Sequence, residues 1–130
     1  MKVLLVEDEE DIQRLATKGL KKGNNWQVLL AADGEECLTV AEREHPDVIL
    51  LDVMMPGLDG FATCERLKAS AATKDIPVIF LTASAQEREE QRGLSMGAIG
   101  YLRKPFDPLR LPQQVLELLS RAGHGPSASG

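Results

Sequence analysis

A run of branched apolar residues, Val48-Ile49-Leu50-Leu51, lies between Asp47 and Asp52, and Val53-Met54-Met55-Pro56-Gly57-Leu58-Asp59-Gly60 follows at once. Apolar character without polar alternation marks a strand buried on both faces, the kind found in parallel sheets covered by helices. Pro56, Gly57 and Gly60 then force a loop and a turn. In an open α/β sheet, ligands bind outside the carboxyl ends of the strands. Asp52 closes this strand, so it stands where such a fold does its chemistry.

The rest of the chain repeats the alternation. Val3-Leu4-Leu5-Val6 is a short apolar strand stopped by Glu7-Asp8-Glu9-Glu10-Asp11. A helix follows with Ile12, Leu15, Ala16, Gly19 and Leu20 on its inner face, acids at its start and lysines at its end, as the macrodipole favours. Trp26 to Ala31 reads as a second strand, and Asp33-Gly34 opens a second helix with Cys37, Val40 and Ala41 inward, closed by His45-Pro46. A third helix starts near a capping Asp59 and carries Phe61, Cys64, Leu67 and Lys68. After the Ser70–Asp75 loop, Pro77–Leu81 forms a fourth strand ending in Thr82. The segment from Gln86 to Met96 is so polar, and so interrupted by Gly93, that a weakly held helix is expected. Ile99–Leu102 is a fifth strand running into Arg103-Lys104-Pro105-Phe106. An irregular Asp107–Arg110 leads to a last helix with Pro112 in its first turn and Leu111, Val115, Leu118 and Leu119 inward. Five strands alternating with five helices define an α/β fold around a parallel sheet, with right-handed crossovers and helices on both faces. Residues 1–121 form the domain, and 122–130, rich in Gly and Ser, read as a flexible tail or truncated linker.

At 130 residues this is one domain with a real core. The net charge of −5 argues against nucleic acid as a direct partner. No apolar run suits a membrane span and no signal peptide opens the chain, so a cytoplasmic location is expected. Cys37 and Cys64 fall within apolar helical patterns and are expected as buried free thiols, although a disulfide is compatible with the sequence.

Four of the five strands finish at residues with useful chemistry: Glu7-Asp8, Asp52, Thr82 and Lys104. Singly, each has an ordinary explanation as a turn former, a helix-start charge, a helix cap or a solvated surface charge. Jointly they are more specific. Three carboxylates converging on one sheet edge repel one another unless a cation neutralises them. Hard oxygen ligands with room for water suit Mg²⁺. A metal beside a lysine ammonium makes a phosphoryl site, in which a hydroxyl such as that of Thr82 holds a third oxygen. A carboxylate nucleophile there yields an aspartyl phosphate.

With these residues in view, the chain resembles the receiver domain of bacterial two-component response regulators from Val3 to about Ser120. Its matching motifs are Val6-Glu7-Asp8, Leu51–Gly60, Leu81-Thr82-Ala83 and Tyr101–Phe106. The resemblance implies a flavodoxin-like doubly wound sheet of order 2-1-3-4-5. It implies that Asp52 is the phosphoacceptor and that Glu7, Asp8, Asp52 and the backbone carbonyl of Met54 hold Mg²⁺. It further implies that Lys104 and Thr82 contact the phosphoryl group, that Lys104-Pro105 is cis, and that Thr82 and Tyr101 form a switch pair in which Tyr101 swings inward on phosphorylation. Met54 and Ser84 occupy positions where the lifetime of the aspartyl phosphate is tuned in the family, and Met54 implies slow hydrolysis. The implied partners are a sensor histidine kinase or histidine phosphotransfer protein, facing the first helix and the loop after the fifth strand, and a downstream protein or effector domain that reads the fourth helix, fifth strand and fifth helix. A dimer formed on phosphorylation is a further implied outcome, although Ile99-Gly100 replace the family's acids before the switch tyrosine.

Other functions fit less well. A metal-dependent phosphatase with an aspartyl nucleophile needs a second Asp two residues later, where Met54 stands. The acids Glu7–Asp11 would repel a flavin phosphate, which excludes a flavodoxin-type carrier. A phosphate-independent receiver-like interaction module remains as the alternative, and it predicts the loss of a site residue. The expected role is a phosphoacceptor switch, not an enzyme with turnover. Neither His45 nor His124 is expected to serve as phospho-histidine or ligand.

Overall fold

The computed structural model describes residues 1–55, 57–83 and 87–123. Ser84, Gln86, His124 and most of the expected tail lie outside the described residues. Strands β1 (Lys2–Val6), β2 (Gln27–Ala31), β3 (Val48–Asp52), β4 (Val78–Thr82) and β5 (Gly100–Arg103) form one parallel sheet in the order β2-β1-β3-β4-β5. Helices α1 (Glu10–Lys21), α2 (Gly34–Glu44), α3 (Gly60–Ala69), α4 (Glu87–Ser95) and α5 (Leu111–Arg121) connect and follow them, with a 3-10 turn at Pro108–Arg110 before α5. This is the flavodoxin-like order that the resemblance implies.

Period-two alternation along the strands divides the core into two. Val3, Leu5, Val48, Leu50, Ile79, Leu81 and Leu102 face α1 and α5, where they meet Ala16, Leu20, Leu111, Val115 and Leu119. Leu4, Val6, Ile49, Leu51, Val78 and Phe80 face the other way, onto Cys37, Val40, Ala41, Phe61, Cys64 and Leu67 of α2 and α3. The central strands β3 and β4 are buried along their whole length, as expected of strands covered on both sides.

The helix signals act as the sequence suggests. Asp33 and Asp59 cap α2 and α3 by accepting from the backbone N–H groups of Glu36 and Ala62, each at 2.8 Å. His45 closes α2 in the left-handed region at φ 48°, and its N–H donates to the Ala41 carbonyl. Pro112 sits in the first turn of α5. Four expectations are corrected. Trp26 precedes β2, Pro77 precedes β4, which runs through Thr82, and Ile99 precedes β5, which instead extends through Arg103. Leu15 is 49% exposed. Helix α1 packs through the narrow stripe of Ala16, Gly19 and Leu20, and Gly19 lies so close to Pro108 that a Cβ would sit 2.7 Å from its carbonyl carbon. That contact leaves Leu15 beside the stripe.

Helix α4 is the least embedded of the helices. Among its described side-chain positions only Gly93 is buried. A Cβ on Gly93 would lie 2.8 Å from the Phe80 ring and would also strike the Tyr101 hydroxyl. Glycine thus lets α4 close over β4 and β5 despite its low helix propensity. Gly93→Ala should therefore lower Tm by a few degrees, because overpacking costs about 1–3 kcal/mol against about 1 kcal/mol gained in helix propensity. Thermal denaturation followed by circular dichroism measures it, and an unchanged or raised Tm would show that the helix simply rides outward.

Candidate functional site at the carboxyl edge of the sheet

Strand register delivers the site. Val6 pairs with Leu51, so Glu7 falls level with Asp52 at the carboxyl edge. Thr82 pairs with Arg103, and the Lys104 N–H donates to the Thr82 carbonyl at 2.8 Å, fixing Lys104 just beyond β5. Alternation then sets direction. Glu7 continues the parity of Val3 and Leu5, Asp52 that of Val48 and Leu50, and Lys104 that of Leu102, so all three aim to the α1/α5 side. Thr82 continues the parity of Val78 and Phe80 and belongs to the opposite side, with Tyr101 packed against that same layer.

The three side chains meet. Lys104 Nζ donates to Asp52 Oδ2 at 3.0 Å and to Glu7 Oε1. Glu7 is fully buried and Asp52 is 4% exposed, whereas Asp8 is exposed. One oxygen from each of Glu7, Asp8 and Asp52 lies within 4.8 Å of the others, an arrangement able to hold a metal ion. Backbone groups complete the setting. The Met54 N–H donates to Asp52 Oδ1 at 3.1 Å and the Glu9 N–H to Glu7 Oε2 at 3.1 Å. The loop after β3 turns back sharply: the Gly60 N–H reaches the Val53 carbonyl at 3.0 Å, and a Cβ on Gly60 would lie 2.7 Å from Val53 Cα. The Lys104-Pro105 bond is cis.

Burial pushes the Glu7 carboxyl above its ordinary range; the bond from Lys104 works against this, and the nearby Asp52 charge adds to it. Burial pulls Lys104 down, but its bonds to Glu7 and Asp52 outweigh that and leave its ammonium more firmly protonated than usual. Three carboxylates thus face one lysine, leaving room for further positive charge. The buried cysteines take no part. They are free thiols, and burial pushes Cys37 up to about 12 and Cys64 up to about 11, so neither is a ready nucleophile.

The opposite face holds the switch candidates. Thr82 is 3% exposed at the end of β4. The Tyr101 ring lies 5.7 Å from that of Phe80, and its hydroxyl donates to the Glu90 carbonyl of α4 at 2.5 Å. Arg103 pairs with Glu90 at 2.6 Å, and the Arg92 guanidinium stands 4.4 Å above the Phe61 ring. These α4 contacts were not legible in the sequence, because they join residues that share neither a motif nor a helical face. Gln13, whose side-chain amide donates to the Glu7 carbonyl, was passed over as well.

Fold and site together define a class. The chain matches the response regulator receiver domain family over residues 3–116, and it belongs to that family. It is 42% identical over 120 residues to the probable transcriptional regulator ycf27 of Cyanophora paradoxa, covering 92% of this chain and 48% of that protein. It is 40% identical over 121 residues to the alkaline phosphatase synthesis transcriptional regulatory protein PhoP of Bacillus subtilis, covering 93% of this chain and 49% of the relative. The chain therefore spans about half the length of these curated relatives. The chemotaxis protein CheY4 of Vibrio cholerae has a similar structure, with a TM-score of 0.84 at 34% identity, over 91% of this chain and 98% of that one. Among the described residues no helix is long and apolar enough to cross a membrane.

The raised Glu7 pKa has a signed consequence. Ionising this carboxyl costs more in the folded than in the unfolded chain. Its contribution to stability is full below its ordinary value of 4.5 and is lost as pH rises through the higher folded value. In metal-free buffer, Glu7→Gln should thus gain in Tm relative to wild type as pH is raised from about 4 to about 7. A difference that narrows over that range would mean that the Lys104 bond outweighs burial.

Proposed function

We propose that this receiver domain is a phosphorylation-dependent signalling switch, with Asp52 accepting a phosphoryl group from a histidine kinase or histidine phosphotransfer protein and Mg²⁺ as cofactor. The convergence of Glu7, Asp8 and Asp52 around Lys104 carries the reading. The donor set fits the ion. It is made of carboxylate oxygens, one of them on an exposed residue, which suits a hard cation that keeps several waters. Glu7, Asp8, Asp52 and the Met54 backbone carbonyl would hold it, and it would supply positive charge beside the phosphoryl oxygens.

The chain's own residues do the rest. An Asp52 carboxylate oxygen attacks phosphorus as the bond from phosphorus to the donor imidazole nitrogen breaks. Lys104, already on Asp52, holds its ammonium against a phosphoryl oxygen, and Thr82, at the carboxyl end of β4, moves its hydroxyl toward the phosphoryl group to donate to another oxygen. The product is the modified chain itself, which is why the domain is a switch and not an enzyme with turnover. Because Thr82 shares its face of β4 with Phe80, and so with Tyr101 and Gly93, engagement of Thr82 is felt beneath α4. The surface of α4, β5 and α5 is then what a downstream protein or effector domain reads.

Amide hydrogen exchange with and without acetyl phosphate and Mg²⁺ tests this reading. Wild type should change its exchange across α4 and β5, and Asp52→Asn should not. Identical exchange in wild type under both conditions would favour a phosphate-independent interaction module.

A further inference from the structure

Helix α1 begins without a side-chain cap. Glu9 occupies the capping position, and its side chain makes no capping bond to the first turn. Such an end ordinarily frays. Here the preceding turn, Glu7-Asp8-Glu9, carries two of the three acids of the site. Asp8 is exposed, so no packing fixes it. Something else must hold the turn in register with Asp52.

Gln13 is the residue placed to do so. Its backbone N–H donates to the Glu9 carbonyl at 3.0 Å, the first helical bond of α1. Its side-chain Nε2 reaches six residues back to the Glu7 carbonyl oxygen. The Glu7 N–H is already committed to the Ala31 carbonyl of β2 at 3.0 Å, and its carboxylate to Lys104 and the Glu9 N–H. With the Gln13 bond, both peptide units that flank the Glu7 Cα are held, one through the Glu7 N–H and the other through the Glu7 carbonyl, and the direction in which the chain leaves toward Asp8 is limited with them.

We infer that Gln13 is a positioning residue for the acidic site: through the Glu7 carbonyl it orients the Glu7–Asp8 peptide, and so presents the Asp8 carboxylate to a divalent cation shared with Glu7 and Asp52. The inference rests on the proposed metal reading of the site. It adds a residue that touches neither ion nor phosphoryl group, and acts only by limiting the conformations of the turn. Loss of an outer partner of this kind typically weakens metal binding by about tenfold.

The test is a calorimetric titration of the unphosphorylated chain with Mg²⁺, for wild type, Gln13→Leu and Gln13→Arg. Leucine keeps the bulk and loses the donor; arginine keeps an N–H donor of sufficient reach. Amide hydrogen exchange at residues 8–10 and the melting temperature are recorded for each. The inference predicts an Mg²⁺ Kd about tenfold weaker in Gln13→Leu, with faster exchange at residues 8–10, and recovery of both in Gln13→Arg. A Gln13→Leu variant that binds Mg²⁺ as wild type does overturns it, whatever its melting temperature. So does weaker binding in Gln13→Leu that arginine fails to restore. A wild-type chain that takes up no Mg²⁺ overturns the metal reading itself, and this inference with it.

Discussion

The bond pattern of Lys104 is the interaction on which the site depends. Its ammonium joins Glu7, 97 positions away in sequence, to Asp52, 52 positions away, and it does so at the buried end of the sheet. Removing Lys104 would leave the buried Glu7 and Asp52 carboxylates without their shared cation, which is strongly destabilising. The three residues meet only because their strands hold one register and one parity. A slip of a single residue in β5 would carry Lys104 to the other face. The long apolar strands are thus more than a core, since their packing against helices on both sides sets which charges meet.

The same parity separates two tasks. Glu7, Asp52 and Lys104 lie on the α1/α5 side, while Thr82, Phe80 and Tyr101 belong to the side of α2, α3 and α4. Strand β4, hydrogen-bonded to β3 and β5, touches both. Helix α4 is held largely by polar and aromatic contacts: the Tyr101 hydroxyl on the Glu90 carbonyl, the Arg103–Glu90 pair, and Arg92 over Phe61. An exposed ion pair of this kind contributes about 0–1 kcal/mol, and an exposed cation–π contact about 0.5–1 kcal/mol. An element held by several small terms can be displaced by a modest change beneath it.

Much of this was legible in the sequence, for identifiable reasons. Continuous apolar runs ending in polar residues mark β1, β3 and β4 and put Glu7, Asp52 and Thr82 at the carboxyl edge, while Asp33 and Asp59 mark helix starts. The strand order came from family resemblance, since periodicity says nothing about which strands are neighbours. What stayed hidden is what depends on close approach. Gly93 reads as a helix weakener and is instead the point where α4 meets Phe80 and Tyr101. Leu15 reads as core, because periodicity cannot foresee that Gly19 draws α1 onto Pro108. Gln13 gives no signal in a polar helix start, because its importance lies in a carbonyl six residues earlier.

Of the two carboxylates joined to Lys104, Asp52 is the one proposed to take the phosphoryl group. Intact mass after incubation with acetyl phosphate, with and without Mg²⁺, tests it most directly in wild type and Asp52→Asn. One phosphoryl adduct is expected on wild type, dependent on Mg²⁺ and absent from Asp52→Asn. An adduct that survives in Asp52→Asn, or wild type that takes up no phosphoryl group in the presence of Mg²⁺, would contradict it.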